Sequence, residues 1–129
     1  MKLFSILVTL VAGLAFSSLA LAVDVYPEQP NVQGAYNKLV AALAQLDKAK
    51  LEPQGEHVKN AIVEIDSAKT FLEQATNNKG TYLHTAKDLC EQAKTALEAT
   101  TPDLDKGTDL CNRALHEVNM AGKAGRRKH

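Results

Sequence analysis

The feature that most constrains this sequence is a spacing of apolar residues in steps of three and four, which occurs four times. Steps of this size keep residues on one face of a helix, so each copy predicts an amphipathic helix. The four stripes are Val32, Ala35, Leu39, Ala42, Leu46 and Ala49; Val58, Ala61, Ile65, Ala68, Leu72 and Ala75; Leu83, Ala86, Cys90, Ala93 and Leu97; and Leu104, Gly107, Cys111, Ala114, Val118 and Ala121. Strand signals are absent, and the sequence predicts an all-α protein.

Each stripe alternates a larger side chain with Ala or Gly. Small residues let neighbouring helices approach closely, and larger side chains fill the spaces opposite them. Segments that contain Pro, Gly or Asn separate the copies at residues 52–55, 77–80 and 100–103. Because these connections are short, neighbouring helices are expected to be antiparallel. The prediction is therefore an up-down-up-down antiparallel four-helix bundle over residues 32–122.

Two prolines distinguish this bundle from its alternative, a single long coiled coil. Pro53 and Pro102 would each remove a helical hydrogen bond and interrupt a continuous helix. Thr101 also predicts the start of the fourth helix. A threonine hydroxyl can cap a helix, and the proline that follows it needs no hydrogen-bond acceptor.

The first 22 residues have the pattern of a secretory signal peptide. Lys2 gives the N-terminus a positive charge, and residues 3–16 are almost continuously apolar. Ala20 and Ala22 are the small residues that a signal peptidase recognises immediately before the cleavage site. An uncleaved membrane anchor is the alternative, but the apolar run is shorter than the roughly 20 residues that span a bilayer. Residues 1–22 are therefore predicted to be cleaved, leaving a periplasmic or secreted protein without a membrane span.

The charge of the mature chain argues against a nucleic-acid partner. An extended lead-in over residues 23–31 precedes the predicted bundle, and a basic tail over residues 123–129 follows it. Without Lys2 the chain has 14 basic and 15 acidic residues, and four of the basic ones lie in the tail. A nucleic-acid-binding protein would instead have a basic face along a structural element.

Cys90 and Cys111 occupy equivalent stripe positions on the third and fourth predicted helices. In an antiparallel hairpin, two residues at the same level are equally far along the chain from the centre of the turn. If the two cysteines face each other in this way, the centre of the turn falls near residues 100–101, where the helix-breaking segment lies. Because an exported chain enters an oxidising compartment, we predict a disulfide between them. Closing a loop of about 20 residues would stabilise the fold by roughly 3 kcal/mol. The alternative is two buried, unpaired thiols that act as small hydrophobic groups.

Catalytic motifs are absent from the sequence. It contains no Cys-x-x-Cys-His motif for covalent haem attachment and no Gly-rich phosphate loop. A nucleophilic thiol would need to be reactive, whereas both cysteines belong to the buried stripes. The sequence therefore predicts a protein that is not an enzyme.

Two groups of side chains are candidate metal ligands. His84 and Asp88 are four residues apart on the third predicted helix, and His116 and Met120 are four apart on the fourth, with Glu117 beside them. Residues four apart on a helix can both reach one ion. Imidazole together with a carboxylate or thioether suits divalent copper, nickel or zinc. The alternative is that these side chains form an ordinary solvated surface.

Several Ala-rich helical segments are similar to those of a known family. They are residues 86–94 (AKDLCEQAK), residues 104–107 (LDKG) leading into Leu110 and Ala114, and residues 121–125 (AGKAG). Over residues 61–125 the chain resembles the small metal-binding protein family, which consists of histidine-rich helical bundles exported to the bacterial periplasm. The resemblance implies a helical bundle, a periplasmic location and divalent metal binding.

This sequence departs from that family in its histidines. The family repeats histidines along its helices, whereas here the corresponding positions are Thr85, Gln92, Leu110 and Glu117. His84 and His116 each lie one residue from such a position. The resemblance therefore supports the architecture and the compartment more strongly than it supports metal binding.

Two functions are consistent with these observations. The first is a small exported, non-enzymatic helical bundle that binds a divalent metal ion weakly in the periplasm. The alternative is a structural or protein-interaction bundle of the cell envelope, with a protein partner and no metal ligand. The family resemblance favours the first function, and the scarcity of histidines favours the second.

We expect the exported protein to begin at Val23, because Ala20 and Ala22 satisfy the cleavage rule. Intact-mass spectrometry of the exported fraction measures this directly. A mass that still includes Met1 would contradict the prediction.

Overall fold

The structure is a computed structural model that describes residues 25–53, 55–75 and 81–126. The predicted signal peptide lies outside the described residues. Within them the chain forms four α-helices and no strand. The helices are α1 (Pro30–Leu51), α2 (His57–Gln74), α3 (Thr81–Glu98) and α4 (Leu104–Arg126). The prediction of an all-α protein is confirmed for this part of the chain.

The predicted apolar stripes form the core of the protein. Every stripe residue is buried except Val58, Ala75 and Leu104, which lie at helix ends and are half-buried. Flanking apolar side chains such as Ile62 and Phe71 pack against this core while remaining partly exposed. The three-four spacing therefore identified the buried face of each helix correctly.

The four helices pack around this core in a ring. α1 packs against α2, α2 against α3, α3 against α4, and α4 against α1. Asn31 Nδ2, in the first turn of α1, donates a hydrogen bond to the carbonyl oxygen of Gln74 at the end of α2 (3.0 Å). His57 Nδ1, at the start of α2, lies 3.0 Å from Oε1 of Gln45 near the end of α1.

Three ion pairs connect α2 to α3. Residues further along α2 pair with residues earlier along α3. The pairs are Asp66 with Lys94 (3.0 Å), Lys69 with Glu91, and Glu73 with Lys87 (3.6 Å). The hydrogen bond from Lys69 holds the pKa of the Glu91 carboxyl below its usual range. Because exposed ion pairs contribute little stability, their main effect is to fix which residues of the two helices face each other.

The start of α4 differs from the sequence prediction. The helix begins at Leu104, and Oδ1 of Asp103 accepts a hydrogen bond from the backbone N–H of Lys106 (3.1 Å). Asp103 therefore caps the helix, in place of the predicted Thr101. An aspartate satisfies a free N–H of the first turn as well as threonine does, and its charge also suits the positive end of the helix dipole.

The outer limits of the helical region are also wider than the 32–122 predicted from sequence. α1 begins at Pro30, because proline has the φ angle of a first helical turn and needs no acceptor there. At the other end, α4 continues to Arg126. The last residues of the predicted lead-in and the first residues of the predicted tail are therefore helical.

Tyr26 anchors the segment before α1 to the rest of the protein. Among the residues that the structure describes it is the largest fully buried side chain, and its hydroxyl donates a hydrogen bond to Oδ1 of Asn119 on α4 (2.6 Å). Its backbone N–H donates to Oε1 of Gln33 on α1 (2.5 Å). The ring lies against Gly122, where a Cβ atom would overlap it. This segment thus joins the beginning of α1 to the end of α4.

We expect Gly122→Ala to destabilise the protein by about 1–3 kcal/mol, because the added methyl group would displace the Tyr26 ring. This loss opposes the gain of up to about 1 kcal/mol that alanine brings to a helix interior. Urea unfolding of the purified variant measures the difference.

The matched control is the same substitution in a Tyr26→Ala background. Removal of the ring should make Gly122→Ala neutral or stabilising there, which a double-mutant cycle reports as a coupling between the two positions. An equal loss of stability in both backgrounds would show that the ring contact is not the cause.

Candidate functional site

The predicted site residues all lie on α3 and α4, on two sides of the seam between these helices. The cysteines face the core, whereas the candidate metal ligands lie towards the surface. α3 contributes His84, Asp88 and Cys90. α4 contributes Cys111, His116, Glu117 and Met120.

Cys90 and Cys111 are fully buried members of the core, with no exposed surface. The structure contains both as free thiols, and the predicted disulfide stays a prediction. Burial raises the pKa of each thiol to about 12, and the charge of Cys111 adds to the increase at Cys90. At neutral pH both groups are therefore protonated thiols within the core.

The spacing of four residues brings His84 and Asp88 together at the surface. His84 Nε2 lies 3.6 Å from Asp88 Oδ2, and their side chains are 76% and 59% exposed. This separation is too long for a direct hydrogen bond. An imidazole nitrogen and a carboxylate oxygen at this distance can both turn towards one cation in solvent.

His116 and Glu117 line a cleft of about 390 Å³ between α3 and α4. The other lining residues are Thr85 and Leu89 from α3 and Asn112 and Arg113 from α4. Leu89 is buried (6% exposed), so the cleft has an apolar floor and polar walls. Met120, the third predicted ligand on α4, is half-buried and is not among the lining residues.

The walls of the cleft carry charges of both signs. Arg113 Nη1 lies 3.7 Å from Oδ2 of Asp109, and both side chains are mostly exposed. Glu117 is the one carboxylate among the lining residues. A cation in the cleft would be attracted by Glu117 and repelled by Arg113. Arg113 precedes His116 by three residues and Glu117 by four, so it lies on the same side of α4 as both and opposes the binding of a cation there.

The candidate metal ligands form pairs and not larger clusters. Over residues 25–53, 55–75 and 81–126, no three His, Cys, Asp or Glu side chains lie close enough together to hold a metal ion. His57 has protein partners on both ring nitrogens, Gln45 Oε1 at 3.0 Å and Glu52 Oε1 at 3.1 Å. His129 lies outside the described residues.

The cleft between α3 and α4 is not among the features predicted from sequence, although the spacing of the residues contains the signal for it. The antiparallel register that pairs Cys90 with Cys111 also places Thr85 opposite His116 and Glu117, and Leu89 opposite Asn112. These residues are the ones that line the cleft.

Comparisons with known proteins do not assign the chain to a family. Searches of protein-family models, of curated proteins and of solved structures each found no match. The resemblance to the small metal-binding protein family stays a prediction from sequence. Among the helices of the described residues, none is long and apolar enough to cross a membrane.

Proposed function

We propose that the mature protein is a small, non-enzymatic helical bundle of the periplasm or the extracellular medium, and that it binds divalent transition-metal ions weakly through α3 and α4. The main support is the pair His84 and Asp88, whose exposed imidazole and carboxylate groups lie 3.6 Å apart. His116 and Glu117 offer a second imidazole and carboxylate at the α3–α4 cleft. The proposal agrees with the resemblance to the small metal-binding protein family.

We infer that the helices run up-down-up-down. The hydrogen bond of Asn31 with Gln74 supports antiparallel packing of α1 and α2. The ion pairs of Asp66 with Lys94 and of Glu73 with Lys87 support it for α2 and α3. Since the connections after α1, α2 and α3 are short, each helix can lie beside the next only by reversing direction.

The number of protein ligands limits the affinity for metal. Each pair supplies two donors, and water would occupy the remaining coordination positions of a bound ion. Imidazole nitrogen is a good ligand for Cu²⁺, Ni²⁺ and Zn²⁺, and Cu²⁺ binds most tightly to a given set of donors. An open pair with so few ligands is therefore expected to give weak, exchangeable binding.

We expect isothermal titration calorimetry at neutral pH to show Cu²⁺ or Ni²⁺ binding that is micromolar or weaker. His84→Ala combined with His116→Ala should remove most of the heat. Binding should also fade as the pH falls below about 6, because protonation of an imidazole blocks the lone pair that binds metal.

His57→Ala is the matched control for that experiment. Both ring nitrogens of His57 already have protein partners, so this substitution should leave the titration unchanged. No heat at millimolar metal would contradict the proposal. Several tight sites that persist in the double variant would show that the ligands lie elsewhere in the chain.

The proposal includes a disulfide between Cys90 and Cys111 in the exported protein. Both residues are fully buried in the same core cluster, on helices that pack against each other. An oxidising compartment would favour the bridge. It would tie α3 to α4 at the level of the core and limit the separation of the two walls of the cleft.

We expect protein purified from the exported fraction without reductant to contain no free thiols. Alkylation after unfolding in denaturant, followed by mass spectrometry, should give no adduct, and prior reduction should give an adduct at both cysteines. Two adducts without prior reduction would contradict the disulfide.

A protein-interaction role in the cell envelope is the second candidate. The cleft favours it, because an apolar floor at Leu89 with a polar rim that includes Asn112 and Arg113 is typical of a contact surface. The calorimetric titration separates the two functions. If the protein has the interaction role, titration of the wild-type protein with metal ions should release no heat of binding. An envelope protein should then bind at the cleft without any metal ion.

A further inference from the structure

We propose that the redox state of Cys90 and Cys111 is set while the chain folds, because the closed bundle shields both sulfurs from thiol and disulfide reagents in solution. This inference rests on the disulfide proposed above. It adds that the folded protein neither gains nor loses the bridge without first opening the contact between α3 and α4.

The burial of the pair is the main support. Neither cysteine has exposed surface, and their chain neighbours Leu89 and Leu110 are buried as well (6% and 3% exposed). The α3–α4 cleft does not lead to the sulfurs, since its lining includes Leu89 but neither cysteine. A reagent that enters the cleft would therefore meet a leucine side chain before it reached a thiol.

Burial of the sulfurs blocks thiol–disulfide exchange, because each step of that reaction requires direct contact between two sulfur atoms. With oxidised glutathione as the oxidant, a thiolate of one cysteine attacks a glutathione sulfur, and the first reduced glutathione leaves. The thiolate of the other cysteine then attacks the mixed disulfide, forming the Cys90–Cys111 bond and releasing the second glutathione. Overall, two protein thiols are oxidised, the glutathione disulfide is reduced to two thiols, and the two protons pass to the departing glutathione sulfurs.

The intermediate of this reaction cannot be accommodated in the closed bundle. A mixed disulfide would place a tripeptide on a sulfur that has no exposed surface and belongs to a core cluster rich in alanine and leucine. The first step is also slow, because burial raises the pKa of both thiols to about 12 and leaves little thiolate to attack. Exchange therefore has to pass through a state in which α3 and α4 have separated.

The test starts from mature protein that is folded in its reduced form and then exposed to oxidised glutathione at pH 8. Parallel samples are kept in buffer and in urea above the unfolding midpoint, quenched by alkylation and analysed by mass. We expect oxidation in buffer to be at least about a hundredfold slower than in urea, since it requires a rare opening. Similar rates in the two conditions would overturn the proposal.

An exposed thiol controls for the effect of urea on the reaction itself. Thr85→Cys, in a chain that also carries Cys90→Ser and Cys111→Ser, places one thiol on the exposed wall of the cleft. Mixed-disulfide formation at this thiol should proceed at comparable rates in buffer and in urea. The difference between this variant and the wild-type chain then measures the protection that the bundle provides.

A second measurement separates failure of the shielding from failure of the disulfide. Iodoacetamide modifies thiols whether or not they can pair, so its rate with reduced protein in buffer and in urea tests the shielding alone. Refolding of the reduced chain with oxidised glutathione tests the pairing alone. Slow alkylation in buffer without a bridge after refolding would overturn the disulfide, and rapid alkylation in buffer would overturn the shielding.

Discussion

Close approach of the helices through small core residues is the constraint on which the rest of the structure depends. Alanines such as Ala42, Ala68 and Ala93 have no exposed surface. At Gly107 even a methyl group would lie 2.7 Å from Cδ2 of Leu97. Because helices packed at this distance leave little space between them, the side chains at the outer edge of each seam are brought together. The burial of Cys90 and Cys111 in the core is one consequence of that packing.

Much of the fold could be predicted from sequence, because the periodicity of apolar residues records which face of each helix is buried. The segment around Tyr26 could not. It is too short to show a period, and its partners Asn119 and Gly122 are about ninety residues away. The start of α4 was placed at Thr101 instead of Asp103 for a related reason. Several residues there can cap a helix, and the choice between them depends on where the chain leaves α3.

The candidate site was predictable only as far as it lies within single helices. His84 and Asp88 meet because they are one turn apart, which needs no knowledge of a neighbouring helix. The cleft depends on how α3 and α4 are rotated against each other. Thr85 lines it and His84 does not, since one step along a helix turns a side chain by about 100°. Glu117 lines it too, so two of the positions where the resembling family would have histidines face this cleft.

The rotation of α3 and α4 also places the cysteine thiols and the candidate metal ligands on different sides of these helices. Thiolates are the strongest soft-metal ligands in the chain, but at Cys90 and Cys111 they are buried and protonated. A metal ion arriving from solvent therefore meets imidazole and carboxylate groups and not sulfur. Because Leu89 forms both part of the core and the floor of the cleft, it keeps the thiols apart from those ligands. The proposed metal ligands and the proposed disulfide therefore use separate side chains, and in the closed bundle only the candidate metal ligands are accessible from solvent.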